Sequence, residues 1–180
     1  DHHHDHGDLD PHIWLDPLRM IKIGEIVRDT LIELDPNKEE IFTNNFADLK
    51  EEMYKLNKDF EDALQAKNNK KMIVTHAAYG YWEERYGIEQ IPISGLSSTD
   101  EPSQKDLVKI AKIAEKYNLQ YVIFEQNSTN RLASIIQEHI GAEKLELHNL
   151  EVLVDEDIKN NDDYLSLMYN NLDVLIQATK

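Results

Sequence analysis

The sequence predicts an α/β fold: a parallel four-stranded sheet with flanking helices, preceded by one unusually long helix. Two observations carry this. Short apolar runs rich in β-formers, "KKMIVT" (70–75), "EQIPIS" (89–94), "QYVIF" (120–124) and "KLELH" (144–148), recur through the second half of the chain, each separated from the next by a helical stretch. Strands spaced by crossover helices make a parallel sheet covered on both faces. Upstream, Phe42, Phe46, Leu49, Met53, Leu56, Phe60 and Ala63 alternate steps of four and three with no Gly or Pro between them. That is one apolar helical stripe about six turns long.

Taken in order, the elements follow from local chemistry. The opening "DHHHDHG" holds four of the eight histidines in its first six residues and is expected to be a flexible loop. Asp16-Pro17 predicts a helix start, with Asp16 as N-cap and Pro17 at the first helical position. Leu18, Ile21, Ile26, Val27 and Leu31 then give a broad apolar stripe to about Leu34. Asp35-Pro36 stops that helix and starts the long one by the same device. From Pro36 to about Ala66 the long helix would measure roughly 45 Å at 1.5 Å per residue. A coiled-coil arm and a strut between two lobes both fit that length. After the first strand, "AAYGYWEERY" (77–86) reads as a helix. "EPSQKDLVKIAKIAEKY" (101–117) is another, burying Leu107, Ile110, Ala111, Ile113 and Ala114. "NRLASIIQEHIG" (130–141) ends at Gly141, and "DDYLSLMYNNLDVLIQAT" (162–179) closes the chain.

Composition removes several function classes. The formal net charge of −16 over 180 residues argues against a nucleic-acid binder, which needs a basic face, and against docking on anionic lipid. Cysteine is absent, so neither a disulfide frame nor a thiolate metal site is available. No apolar run approaches the roughly 18 residues of a membrane span. The chain has neither an initiator Met nor a signal peptide, and is expected to have been processed or cut from something longer. There is no G-x-S-x-G elbow, P-loop, G-x-G-x-x-G or H-E-x-x-H. No catalytic residue is assigned, and the chain is not expected to be an enzyme. A zinc hydrolase would have Glu125 as its only candidate general base.

In an open parallel sheet, ligands bind beyond the carboxyl ends of the strands. Those ends are Thr75-His76, Ser94-Gly95, Glu125-Gln126 and His148-Asn149, with Glu151 just beyond. Two histidines and two carboxylates therefore gather on one edge. Imidazole nitrogen with carboxylate oxygen and no sulfur suits Zn²⁺ or Mn²⁺. Trp14, Tyr79, Tyr81 and Trp82 read as packing at a lobe boundary rather than as a ligand pocket.

Two stretches go further. "DPHIWLDP" (10–17) and "VTHAAYGYW" (74–82), supported by "PISGLSSTDEPS", "YVIFEQN" and "LHNLE", resemble the metal-binding lipoproteins that deliver zinc and manganese to bacterial ABC importers. The acidic, His-rich opening is similar to the zinc-specific, adhesin-type branch. The resemblance runs across the whole chain in order. It implies two α/β lobes joined by a long rigid helix with the metal between them. The chain then divides into 1–35, the His-rich loop and end of the N-terminal lobe; 36–66, the linker helix; and 67–180, the C-terminal α/β lobe.

The resemblance also implies metal ligands: His12 and His76 as imidazole donors and Glu151 as the carboxylate. A further His, expected from upstream in the first lobe, is missing, so the chain is expected to be the carboxyl-terminal part of a longer protein. His2, His3, His4 and His6 would bind zinc weakly as a secondary collector. Glu125 is a candidate accessory ligand, and His148, standing where an acid is usual, is either an accessory ligand or, the favoured reading, a neutral loop substitution. Zn²⁺ is expected over Mn²⁺, because a second carboxylate ligand would be needed to favour manganese. The implied role is extracytoplasmic capture of zinc by a membrane-anchored lipoprotein and delivery to an ABC permease. A surface adhesin is the alternative. Affinity should fall as pH drops through the ordinary histidine range near 6.5, because ligands must be deprotonated. A cut first lobe would expose apolar surface along the Ile21–Leu31 helix, giving self-association.

Overall fold

The computed structural model describes residues 9–95, 103–126, 128 and 130–179. A single 3₁₀ turn, Ile13–Leu15, leads into α1 (Pro17–Leu34). Asp16 caps α1 by accepting from Leu18 N at 2.9 Å, and Pro17 fills the first helical position, where its missing N–H costs nothing. A second 3₁₀ turn, Pro36–Lys38, precedes α2 (Glu39–Gln65). The long helix therefore begins three residues later than the Pro signal predicts, because the backbone after Pro36 first winds more tightly. Its 27 residues still span about 40 Å.

The rest alternates: β1 (Lys71–Val74), α3 (Gly80–Tyr86), β2 (Glu89–Pro92), α4 (Gln104–Tyr117), β3 (Tyr121–Glu125), α5 (Arg131–Ile140) and β4 (Glu143–Leu147). Then come α6 (Asp155–Asn160) and α7 (Tyr164–Ala178). The strands are all parallel, in the order β2-β1-β3-β4. α4 opens with a reciprocal Ser103/Asp106 capping box, and α5 ends at Gly141, whose positive φ of 65° is the left-handed stop that the sequence signals.

Side chains alternate across the central strand. Met72 and Val74 face one side, packing with Leu56, Phe60 and Leu64 of α2, Trp82 of α3 and Met168, Leu172 and Leu175 of α7. Ile73 faces the other, joining Val122 and Phe124 of β3 with Ile110 and Ala114 of α4 and Ala133 and Ile136 of α5. Each large side chain so buried contributes roughly 1.5–3 kcal/mol, so both faces of the sheet hold the helices in place.

The apolar surface expected along the Ile21–Leu31 helix is there: of the predicted stripe only Ile21 is fully buried, and Ile26, Val27 and Leu31 are exposed. The α1–α2 pair thus carries an apolar outer face. α6 has no counterpart in the sequence reading, since its acidic sequence "DEDIKN" has no apolar period. Among the described residues no helix is long and apolar enough to cross a membrane.

From β1 the chain crosses to β2 on one side and returns to β3 on the other. The carboxyl ends of β1 and β3 therefore flank the point where strand order reverses, the crevice in which such sheets bind ligands. His76 follows β1 and Glu125 ends β3.

Candidate functional site

The crevice is closed from above by the turn that carries His12. Four hydrogen bonds and one ion pair staple that turn to α3, α7 and the loop after β4. Tyr81 Oη donates to Asp10 O at 2.9 Å, Trp14 Nε1 to Asn149 O at 2.8 Å, Tyr164 Oη to Trp14 O at 2.8 Å and Trp82 Nε1 to Leu15 O at 2.7 Å. Arg85 grips the buried Asp16 carboxylate with two N–H groups, at 2.8 and 2.6 Å. The aromatics at positions 14, 81 and 82 are thus hydrogen-bonded packing between the His12 turn and the sheet.

Held this way, His12 and His76 are both almost wholly buried, and their Nε2 atoms lie 3.3 Å apart. Each ring has a carboxylate at its back. His12 Nδ1 is 2.7 Å from Asp10 Oδ1. His76 Nδ1 pairs with Glu125 Oε1, and neither atom has another partner. A carboxylate only accepts, so in both rings Nδ1 carries the hydrogen and Nε2 presents its lone pair. Two buried lone pairs aimed at each other need a proton or a cation between them. A carboxylate behind the imidazole is also how metal-bound histidines are normally oriented.

Glu151 stands at the edge of this pair. Its carboxylate is half exposed, with Oε1 3.8 Å from His12 Nε2. As the side chains stand, no group of three His, Cys, Asp or Glu among the described residues is arranged as a metal site. The geometry is two facing imidazole nitrogens with one half-exposed carboxylate beside them.

The two candidate accessory ligands of the sequence reading do other work. Glu125 lies behind His76, on the side away from Nε2, and its Oε2 accepts from Asn149 Nδ2 at 3.1 Å. It orients the ring and does not reach the point between the nitrogens. His148 has no ring nitrogen to spare: Nδ1 accepts from Leu150 N at 2.9 Å, and Nε2 faces Asp157 Oδ2 at 2.9 Å. It ties the loop after β4 to α6, whose turn back toward the sheet brings Asp157 within reach. Hydrogen bonds from Val154 N and then from His148 hold the Asp157 carboxyl below the usual aspartate range. His2, His3, His4 and His6 lie outside the described residues.

Sequence reading missed Asp10, Gly80 and Asn149 here. Asp10, two places before His12, could have been found by seeking a carboxylate beside each candidate histidine. Gly80 lets Asp10 in: a Cβ there would collide with Asp10 Oδ2. Tyr79, read as boundary packing, is stacked on Trp82 at 5.0 Å, and its buried hydroxyl has no hydrogen-bond partner among the described residues. Burial, reinforced by the charges of Glu125 and Glu151, pushes that hydroxyl well above the usual tyrosine range.

Comparison with known proteins gives the family of the chain. The model of a family described as zinc-uptake complex component A, periplasmic, matches residues 1–178. The zinc-binding lipoprotein AdcA of Streptococcus pneumoniae R6 is 37% identical over 98% of this chain and 36% of its own length. The high-affinity zinc uptake system protein ZnuA of Bacillus subtilis is 31% identical over 93% of this chain and 52% of its own. The chain thus spans between about a third and a half of these curated relatives. Among solved structures, the Zn(II)-bound ZnuA-like domain of Streptococcus pneumoniae AdcA is 36% identical, with a TM-score of 0.80 over 97% of this chain and 66% of that one. The laminin-binding protein Lmb of Streptococcus agalactiae, described as an adhesin with metal-transporting activity, superimposes with a TM-score of 0.86 at 29% identity, over 94% of this chain and 64% of that one.

Proposed function

The chain belongs to the family of zinc-uptake complex component A, and from that premise we propose that it holds Zn²⁺ as cargo for a bacterial ABC permease, outside the cytoplasm. One observation carries the proposal. Two imidazole nitrogens bound to one tetrahedral Zn²⁺ at 2.0–2.1 Å must lie about 3.3–3.4 Å apart. His12 Nε2 and His76 Nε2 are 3.3 Å apart, with both Nδ1 atoms engaged by carboxylates. An inward swing of the half-exposed Glu151 would bring its oxygen to the third position. The separation of the three donors along the chain fits a reading in which residues 1–35, the helix of 36–66 and the α/β unit of 67–180 act as a clamp.

Among the described residues, Glu125 behind His76 leaves Glu151 as the one carboxylate available to the cation, which favours zinc over the more oxygen-seeking Mn²⁺. Titration of the protein with Zn²⁺ and Mn²⁺ against a chromophoric chelator tests both points. Zinc should bind more tightly than manganese, and His12→Ala and His76→Ala should each weaken it at least tenfold. Zinc affinity indifferent to both substitutions would refute the site. Affinity should also fall in acid, because protons compete for the nitrogens. The adhesin activity of a solved relative supports a second reading, adhesion to a host surface protein. A deletion strain that loses adhesion while keeping zinc-limited growth would favour it.

A further inference from the structure

Asn149 sits two residues past the end of β4, buried, between the three segments that carry the proposed donors. Every one of its hydrogen-bonding groups is engaged, and the partners belong to different segments. Its carbonyl accepts from Trp14 Nε1 at 2.8 Å, which fixes the turn carrying His12. Its side-chain Nδ2 donates to Glu125 Oε2 at 3.1 Å, and Glu125 holds the back of the His76 ring. Its Oδ1 accepts from Glu151 N at 3.0 Å, which sets where the Glu151 side chain leaves the backbone. Oδ1 also accepts from Gln126 Nε2 at 2.6 Å, while Asn149 N donates to Gln126 Oε1 at 2.9 Å.

The orientation of the amide is determined by its neighbours. Glu151 N can only donate, so the atom facing it is oxygen, and the nitrogen must then face the Glu125 carboxylate. Between Asn149 and Glu151 the backbone passes through Leu150 at a φ of 60°, left-handed geometry that costs a non-glycine residue about 1–2 kcal/mol. The Asx-type bond from Asn149 Oδ1 to Glu151 N is what holds that turn.

We propose that Asn149 is a positioning residue that locks the His12 turn, the His76–Glu125 pair and the Glu151 loop into register for a single cation. The inference rests on the zinc reading above and deepens it. Asn149→Asp separates the local role from the wider one. Aspartate makes the same Asx turn and keeps the oxygen that accepts from Glu151 N. It replaces the donor facing Glu125 with a second carboxylate oxygen, so Glu125 is driven from His76 and the ring loses its orienting partner. A merely structural Asn149 predicts near-wild-type behaviour.

The test is zinc titration together with the visible absorption bands of the Co²⁺-loaded protein, which report donor geometry. Asn149→Asp should weaken zinc binding about 10–100-fold, the usual cost of losing an orienting partner, and should shift the Co²⁺ bands. Adding Glu125→Gln to Asn149→Asp should restore most of the affinity and the wild-type bands. The introduced glutamine can accept from His76 Nδ1 through its oxygen while its amide nitrogen donates to the introduced aspartate, so the relay is rebuilt with reversed polarity. Wild-type zinc affinity in Asn149→Asp, or a double variant no better than the single one, would overturn the proposal while leaving the zinc reading intact. Zinc binding by the wild type that ignores His12→Ala and His76→Ala would instead remove the zinc reading. If Asn149→Asp does not fold, Trp14→Phe removes only the indole donor to Asn149 O; a several-fold loss with shifted bands supports the proposal, and unchanged affinity and bands overturn it.

Discussion

Replacing Asp16 with alanine should cost about 3–4 kcal/mol of stability. The carboxylate is 1% exposed and serves two purposes at once. As N-cap of α1 it accepts from Leu18 N at 2.9 Å and, more weakly, from Arg19 N at 3.4 Å; loss of such a cap costs about 1 kcal/mol. As counter-ion it receives two hydrogen bonds from Arg85 and one from Arg19 Nε at 3.1 Å. Breaking a buried ion pair from one side costs roughly 3–5 kcal/mol, because the surviving charge is left without a partner. Arg85 and Arg19 side chains are 23% and 39% exposed, so both reach water once released, and the lower end of that range applies. Urea denaturation followed by circular dichroism measures the loss directly. Asp16→Asn, which keeps a good cap and removes the charge, should lie between wild type and Asp16→Ala. A deficit below about 1 kcal/mol in Asp16→Ala would refute the view that this carboxylate fastens the His12 turn to α3.

Other outcomes follow from the same geometry. Gly80→Ala should displace Asp10, free the His12 ring and weaken zinc binding about tenfold, with little change in melting temperature because Ala also favours the start of α3; unchanged affinity would show that Asp10 does not orient His12. Asp157, whose folded carboxyl titrates below the usual value, adds stability that is present above the unfolded value of about 3.9 and is lost as pH falls through its folded pKa. Wild type should therefore lose more stability than Asp157→Asn as urea melts are carried below about pH 4, and parallel losses would refute this. The exposed Ile26, Val27, Leu34 and Ile41 on the α1–α2 pair should drive concentration-dependent association. Light scattering showing a clean monomer at high concentration would count against it.

Much of the fold was legible because its signals are local. Apolar β-forming runs such as Met72-Ile73-Val74 specify strands buried on both sides, and Asp16-Pro17 and Gly141 mark helix ends with chemistry that requires no distant partner. The rule that ligands gather at the ends of parallel strands led to the crevice beside His76 and Glu125 before any coordinates. What could not be read is what depends on distant partners. Glu125 and His148 look alike in sequence, each a polar residue closing a strand. Only the packing of α6 puts Asp157 on His148, and only the β1–β3 neighbourhood puts Glu125 behind His76. The outer face of α1 was legible in its stripe, since an apolar side with nothing in the chain to cover it was expected to stay exposed. Asn149 had no signal of its own, since an asparagine after a strand reads as ordinary turn chemistry.

His12, His76 and Glu151 are separated by 64 and 75 residues, so the unfolded chain cannot bring them to one point. On the proposed zinc reading, folding and loading would become a single equilibrium. An ion present at a hundred times its dissociation constant adds about 2.7 kcal/mol to the folded state, and at a thousand times about 4.1. The melting temperature would then be a gauge of the free zinc around the protein. In a zinc-starved environment the same linkage would leave the empty chain less stable and more open to proteases, tying its lifetime to the supply of the proposed cargo.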